Sequence, residues 1–136
     1  MKFLAVKQPN GLVPYDETDK EMQDKLQDGK VYEITVRLSR NYKFHKKFMK
    51  LCRIGCDNSK NVNMPFEAYR EYVTIKAGYY ELHQTPKGVF IRAKSIAFDS
   101  MDEAEFQELY NRVLDVIMQD IEADREVIEQ QLISFL

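Results

Sequence analysis

Lys43, Lys46, Lys47, Lys50 and Arg53 recur at spacings of three, four and seven, the intervals that gather side chains on one face of a helix. Between residues 34 and 56 the chain holds seven Lys and Arg residues, one His and no acid, with Arg37 and Arg40 extending the group on its N-terminal side. Close-set cations attract a polyphosphate, because binding releases the counterions condensed on it. Tyr42, at the edge of the set, has a ring that can stack on an unpaired base. Solvated helix faces usually mix signs and gain about 0.2–0.5 kcal/mol from each i,i+4 pair. This face forgoes those pairs and adds like-charge repulsion, which points to a binding surface. Two plainer readings stay open: a merely solvated face, and a face docked on acids of the same chain or of a second copy.

The acids are at the other end. From residue 99 onward there are eleven Asp and Glu against two bases, whereas residues 1–98 hold eighteen bases against eleven acids. The formal net charge of −2 conceals this split. One end suits an anionic partner and the other repels it. Glu103, Glu105, Glu108, Asp115, Asp120, Glu122, Asp124, Glu126 and Glu129 are the candidates to neutralise the basic face, at ~0–1 kcal/mol for each exposed pair.

Other residue types offer less chemistry. His45, Cys52 and Cys56 fall near one helical face, and both types ligate zinc. A structural zinc site takes four ligands and this face supplies three, so buried free thiols beside Phe48 account for the same residues and no metal or other cofactor is expected. There is no Gly-rich phosphate loop, no recognisable Ser or Cys nucleophile and no H-E-x-x-H, so no catalytic residues are assigned. Asp99, Asp102 and Glu103 could hold Mg²⁺, but acids at a helix N-terminus are favoured by its dipole anyway. Phe66, Tyr69, Tyr72, Tyr79 and Tyr80 are either a stacking platform or core, and core is the commoner fate. In a strand Tyr79 and Tyr80 face opposite sides, so at most one of them is available.

These residues need a scaffold, and the pattern predicts one. Residues 2–7 read as a strand stopped by the turn Pro9-Asn10-Gly11, with Pro14 ending the next extended piece. Asp16 or Thr18 caps a helix over about 17–27, with Met22 and Leu26 as its buried stripe. Residues 31–38 are β-branched, aromatic and partly alternating, which predicts a strand. Ser39 or Asn41 caps the basic helix to about Cys56, with Phe44, Phe48, Leu51, Cys52 and Gly55 on its inner side. Pro65 opens a helix to about Tyr72, weakened beyond by Val73-Thr74-Ile75 and ended by Gly78. Residues 79–83 and 88–93 form a hairpin about Thr85-Pro86-Lys87-Gly88. Ser100-Met101-Asp102-Glu103 reads as a capping box before a long C-terminal helix that stays apolar to the last residue.

The expected fold class is α+β: a small, largely antiparallel sheet with helices packed on one face and a long C-terminal helix. At 136 residues with 44% hydrophobic content, a single domain over 1–136 is expected. No apolar run approaches the ~20 residues of a membrane span, and residues 1–7 are too soon charged for a secretory signal. Free thiols in a reducing cytosol follow as the expectation for Cys52 and Cys56.

Three stretches resemble a phage- and prophage-encoded family of unknown function. They are Arg40-Asn41-Tyr42-Lys43-Phe44-His45-Lys46-Lys47-Phe48; Pro65-Phe66-Glu67-Ala68-Tyr69-Arg70 through Gly78-Tyr79-Tyr80; and Lys94-Ser95-Ile96-Ala97-Phe98 through Met101-Asp102-Glu103-Ala104-Glu105-Phe106 and Leu109-Tyr110. The resemblance implies no catalytic residues. It implies a cytoplasmic setting in an infected or lysogenic bacterium, near replication and recombination functions. The start at Arg40-Asn41 through Phe48 is also similar to the Orf/NinB type of recombination mediator.

Together these readings lead to one expectation and one rival. The expectation is a non-enzymatic phage accessory protein that binds nucleic acid, more readily single-stranded, in replication or recombination. Lys43, Lys46, Lys47, Lys50 and Arg53 would hold phosphates, Arg37 and Arg40 would flank them, and Tyr42 would stack. The rival is a protein-interaction module that inhibits or redirects a host factor through the acidic helix. The apolar end, Leu132-Ile133-Ser134-Phe135-Leu136, marks either a homo-oligomer contact or packing on the chain's own sheet.

Overall fold

The computed structural model describes residues 1–38, 41–96 and 100–133. They form two compact units, Met1–Val36 and Arg37–Leu136. The first unit carries the hairpin β1 (Ala5–Gln8) and β2 (Gly11–Pro14), then the helix α1 (Glu17–Gln23). Asp16 caps α1 by accepting the Asp19 N–H at 2.9 Å. Buried Asp19 in turn accepts the Leu4 N–H at 2.8 Å, which ties helix to hairpin. The helix ends at Gln23, before Leu26, so the predicted Met22/Leu26 stripe is not helical throughout.

Residues 31–38 correct the expectation of a strand. They lie outside every helix and ladder, and all of them are exposed. β-propensity expresses fit to a pleated neighbour, and among the described residues this segment has no ladder partner.

The second unit is built on helices α2 (Tyr42–Asn58), α3 (Phe66–Lys76), α4 (Glu103–Ile121) and α5 (Arg125–Gln131), with the hairpin β3 (Tyr80–Thr85) and β4 (Gly88–Ala93) between α3 and α4. The fold class is α+β with a long C-terminal helix. Its antiparallel pairing occurs as two separate two-stranded hairpins. The core lies among the helices: Phe48, Leu51 and Cys52 from α2, Tyr69 and Val73 from α3, and Phe106, Leu109, Val113, Leu114 and Ile117 from α4, all essentially without solvent exposure.

Local chemistry fixes the helix ends. α3 runs through Val73, Thr74 and Ile75 despite their branching, since Val73 and Thr74 are fully buried and tertiary packing outweighs propensity; the Thr74 hydroxyl is satisfied by the Arg70 carbonyl at 2.7 Å. A Schellman motif closes it: the Tyr79 N–H donates to the Thr74 carbonyl and the Gly78 N–H to that of Ile75, with Gly78 at φ 96°. At α4 the cap is Asp102, which accepts the Glu105 N–H at 2.8 Å, not the predicted Ser100. The shifted frame puts Glu105 at the third helical position and buries Met101 and Phe106 at the two positions of a hydrophobic staple.

The predicted continuous terminal helix is broken at Glu122, which adopts the left-handed conformation (φ 54°, ψ 45°). The chain turns there and α5 returns Ile128 and Leu132 to the core, both buried. Leu132 therefore packs within its own chain, while residues 134–136 of the apolar end fall outside the described residues.

Candidate nucleic-acid interface

α2 carries the basic set. Asn41 caps it, its side chain accepting the Phe44 N–H at 3.0 Å. The helix runs two residues past the expected end, and the Asn58 amide donates to the Ile54 carbonyl at 2.8 Å. Phe48, Leu51, Cys52, Ile54 and Gly55 are buried against α3 and α4. Successive residues turn by 100°, so Lys43, Lys46, Lys47, Lys50 and Arg53 occupy an arc of about 120° that faces away from Phe48 and Cys52 and meets the buried side at Ile54. Lys43, Lys50 and Arg53 are exposed; Lys46 and Lys47 are half-buried.

The Lys47 ammonium lies 5.1 Å from the centre of the Tyr110 ring, a cation–π distance. The Arg53 guanidinium sits 3.9 Å over the Phe66 ring and 4.0 Å from Asp57 on its own helix. Tyr42 and Arg37 are exposed, Tyr42 at the first position of α2. Arg40 falls outside the described residues. The structure thus brings together five of the eight predicted residues on one arc, with Tyr42 at its start.

Several terminal acids pair with cations that are not on α2. Glu105 meets Lys94 at 3.9 Å, Glu108 meets Arg112 at 2.7 Å, Glu122 meets Lys60 at 3.0 Å and Glu129 meets Arg125 at 2.8 Å. Among the described residues, Lys43, Lys47 and Lys50 form no ion pair with a carboxylate within 4.0 Å.

The aromatic set does not assemble into a platform. Tyr69 and Tyr79 are buried, Tyr72 is half-buried under the Lys76 ammonium, and Tyr80 is exposed, so the adjacent tyrosines do part to opposite sides. The sulfur and imidazole groups also find structural surroundings. Burial pushes the Cys52 thiol up to about 12, so it stays protonated. The Cys56 sulfur lies 3.5 Å from the Met64 carbonyl, and the His45 ring stacks 6.5 Å from that of Phe106. Among the described residues no three His, Cys, Asp or Glu side chains are grouped to hold a metal ion. Asp102 serves as a helix cap, and Asp99 falls outside the described residues.

One buried polar group behind α2 escaped the sequence reading. Asp120 accepts the Tyr69 hydroxyl at 2.6 Å and the Asn61 amide at 2.8 Å. Burial opposes its ionisation, but hydrogen bonds from Tyr69, Asn61 and Ser59 outweigh burial and hold its carboxyl below the ordinary range. The same contact, with burial as the larger cause, pushes the Tyr69 hydroxyl well up. The signal was present: Asp120 falls three residues after Ile117, on the apolar stripe of its helix.

Fold and surface define a small α+β protein whose helical core presents one cationic helix. A family model described as protein of unknown function (DUF1367) matches residues 1–64 and 57–132, and the chain belongs to that family. No curated protein and no solved structure matches it.

Proposed function

We propose that this is a non-catalytic phage or prophage accessory protein that binds nucleic acid, preferentially single-stranded, during replication or recombination in the bacterial cytoplasm. The observation that carries the reading is the cationic arc of α2, where Lys43, Lys47 and Lys50 are left without carboxylate partners among the described residues. Lys43, Lys46, Lys47, Lys50 and Arg53 hold phosphates in this reading, Arg37 and Arg40 flank them, and Tyr42 stacks on a base. No helix among the described residues is long and apolar enough to cross a membrane. A host or phage replication or recombination protein is a compatible second partner.

The test is a salt titration of binding to a 20-nucleotide single strand, with duplex DNA and RNA of equal length beside it. Lys43→Glu/Lys50→Glu removes two phosphate contacts and should flatten the log–log slope by about 1.4, at ~0.7 for each contact. An unchanged slope and affinity would reject the surface. Capture of a host protein that survives nuclease treatment would favour the rival interaction module.

A further inference from the structure

Two parts of the chain expose β-type apolar side chains in an ordered pattern. In residues 31–38, Ile34, Val36 and Leu38 are 69%, 75% and 71% exposed, and they alternate with Glu33, Thr35 and Arg37. A strand with that alternation has one apolar and one polar face. The β3–β4 hairpin divides in a similar way, apart from Gln84 on its apolar face and Phe90 on its polar face. Its register sets Leu82 opposite Ile91, Gln84 opposite Val89 and Tyr80 opposite Ala93 on one face, with Leu82 62% exposed. Glu81, His83, Phe90 and Arg92 occupy the other face.

The two edges of the hairpin differ. At the end of β4 the Ala93 N–H already donates to the Glu71 carboxylate at 3.2 Å, and Arg92 holds that carboxylate at 2.6 Å. The outer edge of β3 has no ladder partner among the described residues. Because the Lys94 N–H donates to the Tyr79 carbonyl, ladder alternation turns the backbone groups of Tyr80, Leu82 and Gln84 outward. An open edge beside an apolar face is a template for another strand.

We propose that the protein dimerises by strand addition: residues 31–38 of one copy pair antiparallel with the outer edge of β3 in a second copy. The register sets Leu38 opposite Tyr80, Val36 opposite Leu82 and Ile34 opposite Gln84, which extends the apolar face of the hairpin. On the polar face Arg37 comes opposite Glu81 and Thr35 opposite His83. The charges select this register, since shifting it by two residues toward the N-terminus places Thr35 against Glu81, and by four places Glu33 there. The occupant is a second copy because each chain carries both a segment of β-type alternation without a ladder partner among the described residues and a β3 edge of matching apolar and charged pattern. Reciprocal addition then satisfies both and closes the assembly with twofold symmetry. In this dimer Arg37 is engaged by Glu81 and gives up the flanking place given to it in the phosphate surface, which the cations of α2 then carry.

The experiment is sedimentation of the full chain over a concentration series, with hydrogen exchange on the same samples. The parent should be a dimer with protected amides in both residues 31–38 and β3. Val36→Lys and Leu82→Lys replace exposed side chains, so circular dichroism should be unchanged while each yields a monomer. Arg37→Glu should weaken association several-fold, and Arg37→Glu/Glu81→Arg should restore it. A monomeric parent overturns the proposal, including one whose residues 31–38 are protected within their own chain. So does a dimer that resists Val36→Lys but dissociates on truncation after Gln131. Nucleic-acid binding by the Val36→Lys monomer is read separately, so failure of the dimer and failure of the phosphate surface are distinguishable.

Discussion

Replacing Gly55 with alanine puts two opposed effects of similar size on one atom. In an exposed helix interior the change stabilises by about 1 kcal/mol, because glycine loses more backbone freedom on folding. Here the new Cβ would lie 2.7 Å from the Tyr69 hydroxyl oxygen, 2.8 Å from a ring carbon of Tyr69 and 3.1 Å from the end of Ile117. Ring and hydroxyl cannot give way freely: Tyr69 is 1% exposed and its hydroxyl is held by Asp120 at 2.6 Å. Overpacking of this kind costs about 1–3 kcal/mol. A retreat of Tyr69 that breaks its hydrogen bond leaves a buried acceptor short of a donor, at about 1–3 kcal/mol more. The net expectation is a loss of roughly 2 kcal/mol after the propensity gain is subtracted. Urea unfolding should show a lower midpoint at an unchanged slope. Tyr69→Phe removes the closest overlapping atom, so in the double variant Gly55→Ala should cost less than in the parent, a coupling of about 0.5 kcal/mol or more. If Gly55→Ala is as stable as the parent, α2 and α3 do not meet as closely as described and the reasoning fails.

Three further outcomes follow from the buried groups. Asp120→Ala strands the Tyr69 hydroxyl and should destabilise by about 1–3 kcal/mol in denaturant unfolding. Because Asp120 is held below its unfolded value, its contribution is complete above about pH 4 and is lost as pH falls through the lower folded value. Asp120→Asn should therefore flatten the acid limb of a stability–pH profile. Cys52, with its thiol pushed up to about 12 by burial, should resist a thiol reagent at pH 8 in the folded chain. Native labelling should stop at one equivalent, on half-buried Cys56, and reach two in denaturant; two equivalents in the native state would contradict the burial of Cys52.

The family membership agrees with the motifs that suggested a family of unknown function, and it adds no chemistry to them. Periodicity served well where a helix has one wet and one dry face. Most of the expected apolar positions of α2 and of α4 are buried, and the basic residues of α2 face away from Phe48 and Cys52. It served less well at ends, where neighbouring candidates compete. Ser100 and Asp102 both begin a capping-box pattern, and burial of Met101 and Phe106 goes with the second. The two-residue turn after Thr85 was legible because Gly88 tolerates the positive φ it adopts there, 138°.

The sequence by itself determined the elements whose causes are local: the amphipathic α2, the Gly78 stop and the β3–β4 hairpin. It also determined the sign and spacing of the charges, because a helix repeat maps spacing directly onto a face. Tertiary structure alone decided which acids meet which bases, since Lys60 and Glu122 are distant in sequence and pair only once packing joins their segments. It decided that Tyr69, Asn61 and Asp120 form one buried hydrogen-bonded group, that Glu122 breaks the terminal helix, and that residues 31–38 find no ladder partner among the described residues. In each case the deciding energy comes from a neighbour that the local sequence does not contain.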